Sequence, residues 1–173
     1  MYVSKLDAAR RQLESAIRLF FVYGDPIAIH TLTGAARTVL LDLARVEGRE
    51  AGLDVAFQQT VRPERLDEVR RIVTRAQNFF KHADRDADEL LAFNPTTTEI
   101  LLWDGCWLYG ALTEHRLPLL FVYQAWFALA HPHVLVREAQ EEIAGLAGTF
   151  DTGDRRRFLE DMLPAAEQLL AGA

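Results

Sequence analysis

The chain has 173 residues, half of them apolar and a quarter charged, which suits one domain able to bury a full core unaided. A net charge of −6 weighs against a general nucleic-acid binder, whose affinity comes largely from neutralising phosphates, and a single cysteine, Cys106, excludes an intramolecular disulfide framework and fits a reducing compartment. The start, Met1-Tyr2-Val3-Ser4-Lys5-Leu6-Asp7, lacks the basic region and apolar core of a signal peptide, so a cytoplasmic location is expected.

Helical periodicity runs through nearly the whole chain, and no strand-like alternation persists. The first helix is expected from about Ser4 to Tyr23, with Leu6, Leu13, Ile17 and Phe20 on one face, Arg10, Arg11, Glu14 and Arg18 largely away from it, and Gly24 as its end. Asp25 as N-cap and Pro26 at the first helical position open a second helix. Its apolar positions Ile29, Leu32, Ala36, Val39 and Leu43 continue to about Val46, and Gly48 stops it. Gly34-Ala35-Ala36 in its middle allows a neighbouring helix to come close. The short turn between the two helices makes them an antiparallel hairpin.

Glu50 to Arg62 lacks a period and reads as a surface loop. A third helix starts near Pro63, with Leu66, Val69, Val73, Ala76 and Phe80 on its apolar side and Glu64, Glu68, Arg71, Arg75, Asn78 and His82 as a polar stripe at helical spacing. Asp84 to Phe93 is expected to form a turn and a short helix capped by Asp86 and Glu89, ended by Asn94-Pro95. Thr96 and Glu99 repeat the capping pattern before a fourth helix reaching about His115, apolar nearly all round.

Leu117-Pro118 opens a fifth helix, Leu119 to His131, and Pro132 separates it from a sixth, about His133 to Leu146. Asp154 to Leu170 forms the last, bent or restarted at Pro164. The apolar run from Ile100 to His131 is cut by Asp104 and Glu114-His115-Arg116 into pieces shorter than a membrane span of ~20 residues, so two buried helices are expected.

Few constellations carry chemistry. Asp84, Asp86 and Asp88 have the alternating spacing of a calcium loop, but Glu89 stands where the turn glycine belongs and Pro95 where the bidentate glutamate belongs, so capping explains them better. His131 and His133 lack the further ligands a zinc site needs, and no metal or cofactor is expected. Asp104, among Leu102, Trp103, Cys106 and Trp107, needs a partner if buried, which favours a structural ion pair or hydrogen bond over a perturbed catalytic carboxylate. Arg155-Arg156-Arg157, flanked by Asp151, Asp154, Glu160 and Asp161, reads as a solvated helix start. There is no glycine-rich phosphate loop, no Gly-x-Ser-x-Gly elbow and no Cys-His or Ser-His-Asp arrangement.

Arg75, Asn78 and His82 remain: a guanidinium, an amide and an imidazole on one side of a helix, a set suited to moving a proton and holding a charged phosphodiester. Lys81, Asp84 and Arg85 stand beside them as candidate binding residues. The bland reading is a solvated face, since the stripe continues through Arg71, Glu68 and Glu64.

A helix, a short turn, a second helix rich in small residues and a third carrying Arg-x6-His resemble the HEPN superfamily, small helical domains many of which are metal-independent ribonucleases. The likeness covers about Leu6 to His82. It implies homodimerisation that brings two motifs together, with His82 acting on the ribose 2′-hydroxyl and Arg75 stabilising the transition state. Departures are Ala76 where the family usually has a polar residue, the length of chain after the motif, and the acidic balance. The words Ile29-His30-Thr31-Leu32-Thr33-Gly34-Ala35-Ala36 and Asn78-Phe79-Phe80-Lys81-His82-Ala83-Asp84 also resemble those of an uncharacterised group of bacterial helical proteins.

The expected fold is therefore all-α: residues 1–173 as a single domain of six or seven helices, a helical bundle built on antiparallel hairpins, with the Ser4–Val46 hairpin packed on the third helix and Glu99–His131 as the most buried hairpin. The favoured function is a non-catalytic helical interaction module, a degenerate HEPN-like homodimer whose segment Asn78 to Asp88 binds a partner or fixes the chain turn. The alternative is a HEPN-type endoribonuclease using Arg75, Asn78 and His82, with RNA disfavoured as a partner by net charge; divalent-metal chemistry ranks third.

Overall fold

The computed structural model describes residues 1–49, 66–84, 87–134 and 150–172, with the side chains of 66–70, 72 and 134 left out. Among the described residues there are six α-helices and no strand: α1 (Lys5–Phe21), α2 (Pro26–Val46), α3 (Leu66–Lys81), α4 (Thr96–Thr113), α5 (Pro118–Ala130) and α6 (Arg155–Ala171), with one 3₁₀ turn, Pro132–Val134. The loop expected over 50–62, the start of the third helix, Asp86 and most of the expected His133–Leu146 helix lie outside the described residues.

Local chemistry sets the helix ends. Ser4 accepts from the Asp7 amide at 3.0 Å, Asp25 from the Ala28 amide at 2.8 Å with Pro26 following, and Asp154 from the Arg157 amide at 3.1 Å. Each satisfies a donor the first helical turn leaves open. At the C-terminus of α2, Gly48 takes the left-handed conformation (φ 67°), and the amides of Gly48 and Arg49 return to the carbonyls of Arg45 and Ala44. At the end of α1, where Gly24 was expected as the stop, the left-handed residue is Tyr23 (φ 56°), with Tyr23 and Gly24 amides bonded to the Phe20 and Leu19 carbonyls. A side chain is needed there: the Tyr23 hydroxyl donates to the Gly153 carbonyl and accepts from the Arg155 amide, tying the α1 end to the start of α6.

Two other expected ends are corrected. Residues 87–94 form a turn and irregular chain rather than a short helix. Thr96 is the first residue of α4 rather than its cap; the Asn94 carboxamide oxygen accepts from the Thr96 amide instead, and α4 stops at Thr113, with Glu114 left-handed at φ 56°. α6 runs through Pro164 without restarting.

α1 is the hub. It packs along α2 and also meets α4, α5 and α6, burying Ala9, Leu13, Ala16, Ile17, Phe20 and Phe21. The aromatic centre joins Phe20 edge-on to Trp126 and Tyr123, with ring centroids 4.6 and 5.2 Å apart, and stacks Phe21 on Phe158 of α6 at 6.2 Å. The α1–α2 hairpin rests mainly on α4; α3, expected to be its main support, leans on α2 over a narrower contact. α2 is the one described helix long and apolar enough to cross a membrane by length and composition, and it is packed into the bundle.

Candidate functional site

The face that α2 turns to the core is not the simple apolar stripe expected of it. Alongside Ile29, Ala36 and Leu40 it buries His30, Thr33 and Arg37, which follow one another at intervals of three and four and so share a side of the helix. α4 answers with two buried polar residues, Thr98 and Asp104. Because position 30 meets 98 and position 37 meets 104, the two helices run parallel along a buried polar seam. Its lower part is the Arg37–Asp104 ion pair, the structural partner that an aspartate in an apolar helix required.

At the upper end, the imidazole of His30 is fully buried (0 % exposed), with Nδ1 2.8 Å from the Thr98 hydroxyl oxygen. Phe80 of α3 and Phe93 of the following segment lie edge-on to its ring, centroids 5.7 and 5.2 Å away, and contact each other at 5.1 Å. His30 Nε2 is buried and meets no hydrogen-bonding group among the described residues. Burial holds the imidazole below its ordinary pKa, favouring the neutral ring. One turn further, α3 approaches α2 where Gly34 has no side chain: a Cβ there would lie 2.7 Å from Gln77 Cδ, and Gln77 Nε2 donates to the Thr38 hydroxyl at 3.1 Å. The two sequence words that begin at Ile29 and Asn78 are thus packed against each other.

A second polar cluster lies across α4. One Glu99 carboxylate oxygen is 2.9 Å from the Arg155 guanidinium and the other 2.8 Å from His131 Nε2. The guanidinium sits 3.9 Å from the Phe20 ring centroid and 5.3 Å from that of Trp126, while Trp126 Nε1 donates to the Thr152 carbonyl. Of the arginine run expected to be solvated, Arg156 and Arg157 are exposed, but Arg155 is half-buried and pins α6 to the bundle. Glu99, expected in a capping pair, spends its carboxylate here. His131 and His133 rings are 6.0 Å apart, and no group of three or more metal-ligating side chains gathers among the described residues.

The sequence-predicted site residues sit elsewhere. Arg75 and Asn78 are exposed on α3, and Lys81, its last residue, is exposed too. His82 follows the helix end, its amide bonded to the Asn78 carbonyl at 3.1 Å; it and Asp84 are exposed, and Arg85 lies outside the described residues. Cys106 is buried, and burial together with the Asp104 carboxylate pushes its thiol pKa far up, leaving it protonated.

A groove of about 630 Å³ lies between α4 and α5. Trp103, Trp107, Leu117, Leu120 and Phe121 make its apolar walls, and Glu114, His115 and Arg116 its polar end. Trp107 is 54 % exposed and Ile100, on the same side of α4, 38 %. No protein-family model, no curated protein and no solved structure matches this chain.

Proposed function

We propose that this chain is a non-catalytic helical interaction module of the cytoplasm that self-associates through the α4–α5 face. The observation that carries the reading is Trp107, a large aromatic side chain left more than half exposed (54 %) at the mouth of an apolar groove. Exposed apolar surface of that kind marks an interaction site. A second copy fits it well, because the same surface offers both a protruding ring and a hollow beside it, the self-complementarity a two-fold interface requires. The size is adequate. α4 has 18 residues and α5 13, so together they present a face on the order of 500 Å² in projection, comparable with the ~800 Å² of accessible surface that each partner contributes to a standard interface.

Light scattering coupled to size exclusion tests it. The wild-type chain should elute at twice its 19.6 kDa mass and Trp107→Glu at the monomer mass with unchanged helicity. A monomeric wild type at high micromolar concentration would sink the reading.

A second reading keeps the ribonuclease expectation, and the exposure of Arg75, Asn78 and His82 along one side of α3 and its C-terminal end is what supports it. It predicts RNA cleavage in EDTA that His82→Ala abolishes; equal cleavage by the two proteins eliminates it.

A further inference from the structure

We infer that His30 is an acid-sensitive lock holding α3 and the segment after it against the bundle. The geometry rests on the imidazole's position at the junction of the α2 core face, Phe80 of α3, Phe93 and Thr98 of α4. In the neutral ring one nitrogen is satisfied by the Thr98 hydroxyl, whichever of the two donates, and the other is buried without a hydrogen-bond partner among the described residues. A second proton changes that balance. Both ring nitrogens become donors, Thr98 can take only Nδ1–H, and a charged Nε2–H is left without an acceptor among the described residues. The ring must then reach water, and the way out passes the two phenylalanines that fasten α3.

Among the described residues no compensating charge contacts the ring. Its neighbours from the other elements, Phe80, Phe93 and Thr98, do not titrate. On α2 and α4 the nearby charged residues are engaged elsewhere: Arg37 pairs with Asp104, and Glu99 points to His131 and Arg155. On α3 and the segment after it, Arg71, Arg75, Lys81, His82, Asp84, Asp88 and Glu89 occupy exposed positions.

The sign follows from linkage. The folded chain holds His30 below its ordinary value of 6.5, so on acidification the opened form binds the proton first. The attachment of α3 is therefore complete above about pH 6.5 and weakens as the pH falls below it. α3 is the element that gives way because, among the described residues, its contact with α2 is narrow and includes His30, Gly34 and Thr38.

Hydrogen exchange on the full-length chain at pH 7.5 and pH 5, corrected for the intrinsic pH dependence of exchange, reads this out. Protection of the α3 amides should drop by up to about tenfold per pH unit below ~6.5, while α1 and α5 keep theirs. His30→Asn, which cannot titrate, should remove the response, and His82→Gln should retain it. Should His30→Asn fold poorly, an NMR titration of the wild-type His30 ring decides: its protonation must coincide with the loss of α3 protection. A ring that titrates near 6.5 with α3 protection unchanged, or α3 protection that rises on acidification, overturns the proposal.

Discussion

Among individual residues, Asp104 and Cys106 show how burial assigns a role. Asp104 is 1 % exposed and held by Arg37. Removing one partner of such a pair leaves an uncompensated charge in the core, so Asp104→Leu should lower stability by about 3–5 kcal/mol in urea unfolding. The double variant Arg37→Met with Asp104→Leu, which removes both charges, should recover most of that loss. Cys106 lies 3 % exposed beside Asp104, and its raised thiol pKa means a minute thiolate fraction at neutral pH. A disulfide reagent should therefore label it only after urea unfolds the chain; rapid labelling of the folded protein would contradict its placement. Part of this was legible in the sequence. An aspartate among Leu, Trp and Cys demands a partner, but nothing in the local pattern named Arg37, which is 67 positions away. His30 and Thr33 had no place in the expected core face of the second helix, because a periodicity of hydrophobic residues is blind to polar side chains buried within it.

At the scale of helices, two glycines set the close approaches. An added Cβ at Gly105 of α4 would lie 2.8 Å from Leu13 Cδ2, and Leu13 is fully buried in α1. An added Cβ at Gly34 lies nearest the Gln77 side chain, 2.7 Å from Cδ and 2.9 Å from Cγ, and that flexible chain can turn aside by giving up Thr38. Glycine to alanine in a helix gains up to ~1 kcal/mol of propensity, which overpacking a rigid core reverses by about 1–3 kcal/mol. Gly105→Ala should thus lower the melting temperature, whereas Gly34→Ala should leave it within a few degrees of wild type while breaking the Gln77–Thr38 bond. Finding Gly34→Ala the more damaging would refute this ordering. The sequence made Gly34 a contact point; that its partner is Gln77 of α3, and that Gly105 faces the less yielding neighbour, a fully buried leucine of α1, depended on how the helices cross. The same holds at the helix ends. Asp25-Pro26 and Gly48 acted as local chemistry dictates, while Tyr23 displaced Gly24 because its hydroxyl ties α1 to the distant start of α6.

For the molecule as a whole, the described helices close around α1, and the face of α4 and α5 carries the exposed ring of Trp107 beside an apolar groove. If that face pairs two copies, Trp107→Glu should dissociate the dimer, and dilution should produce a blue-to-red shift in tryptophan emission as Trp103 and Trp107 meet water. Emission independent of concentration argues against pairing there. All-helical architecture, the hairpin of the first two helices and the capping of α2 by Asp25 were determined by the sequence alone, because these depend on residues within a turn or two of one another or on composition. Tertiary structure alone decided which polar residues are buried. It placed His30 with Thr98, Phe80 and Phe93, Arg37 with Asp104, and Glu99 with His131 and Arg155, and left Arg75, Asn78 and His82 facing solvent. Burial belongs to the packing of whole helices, and a helix shows in its own sequence only which of its faces is apolar, not which neighbour will satisfy the polar groups set within it.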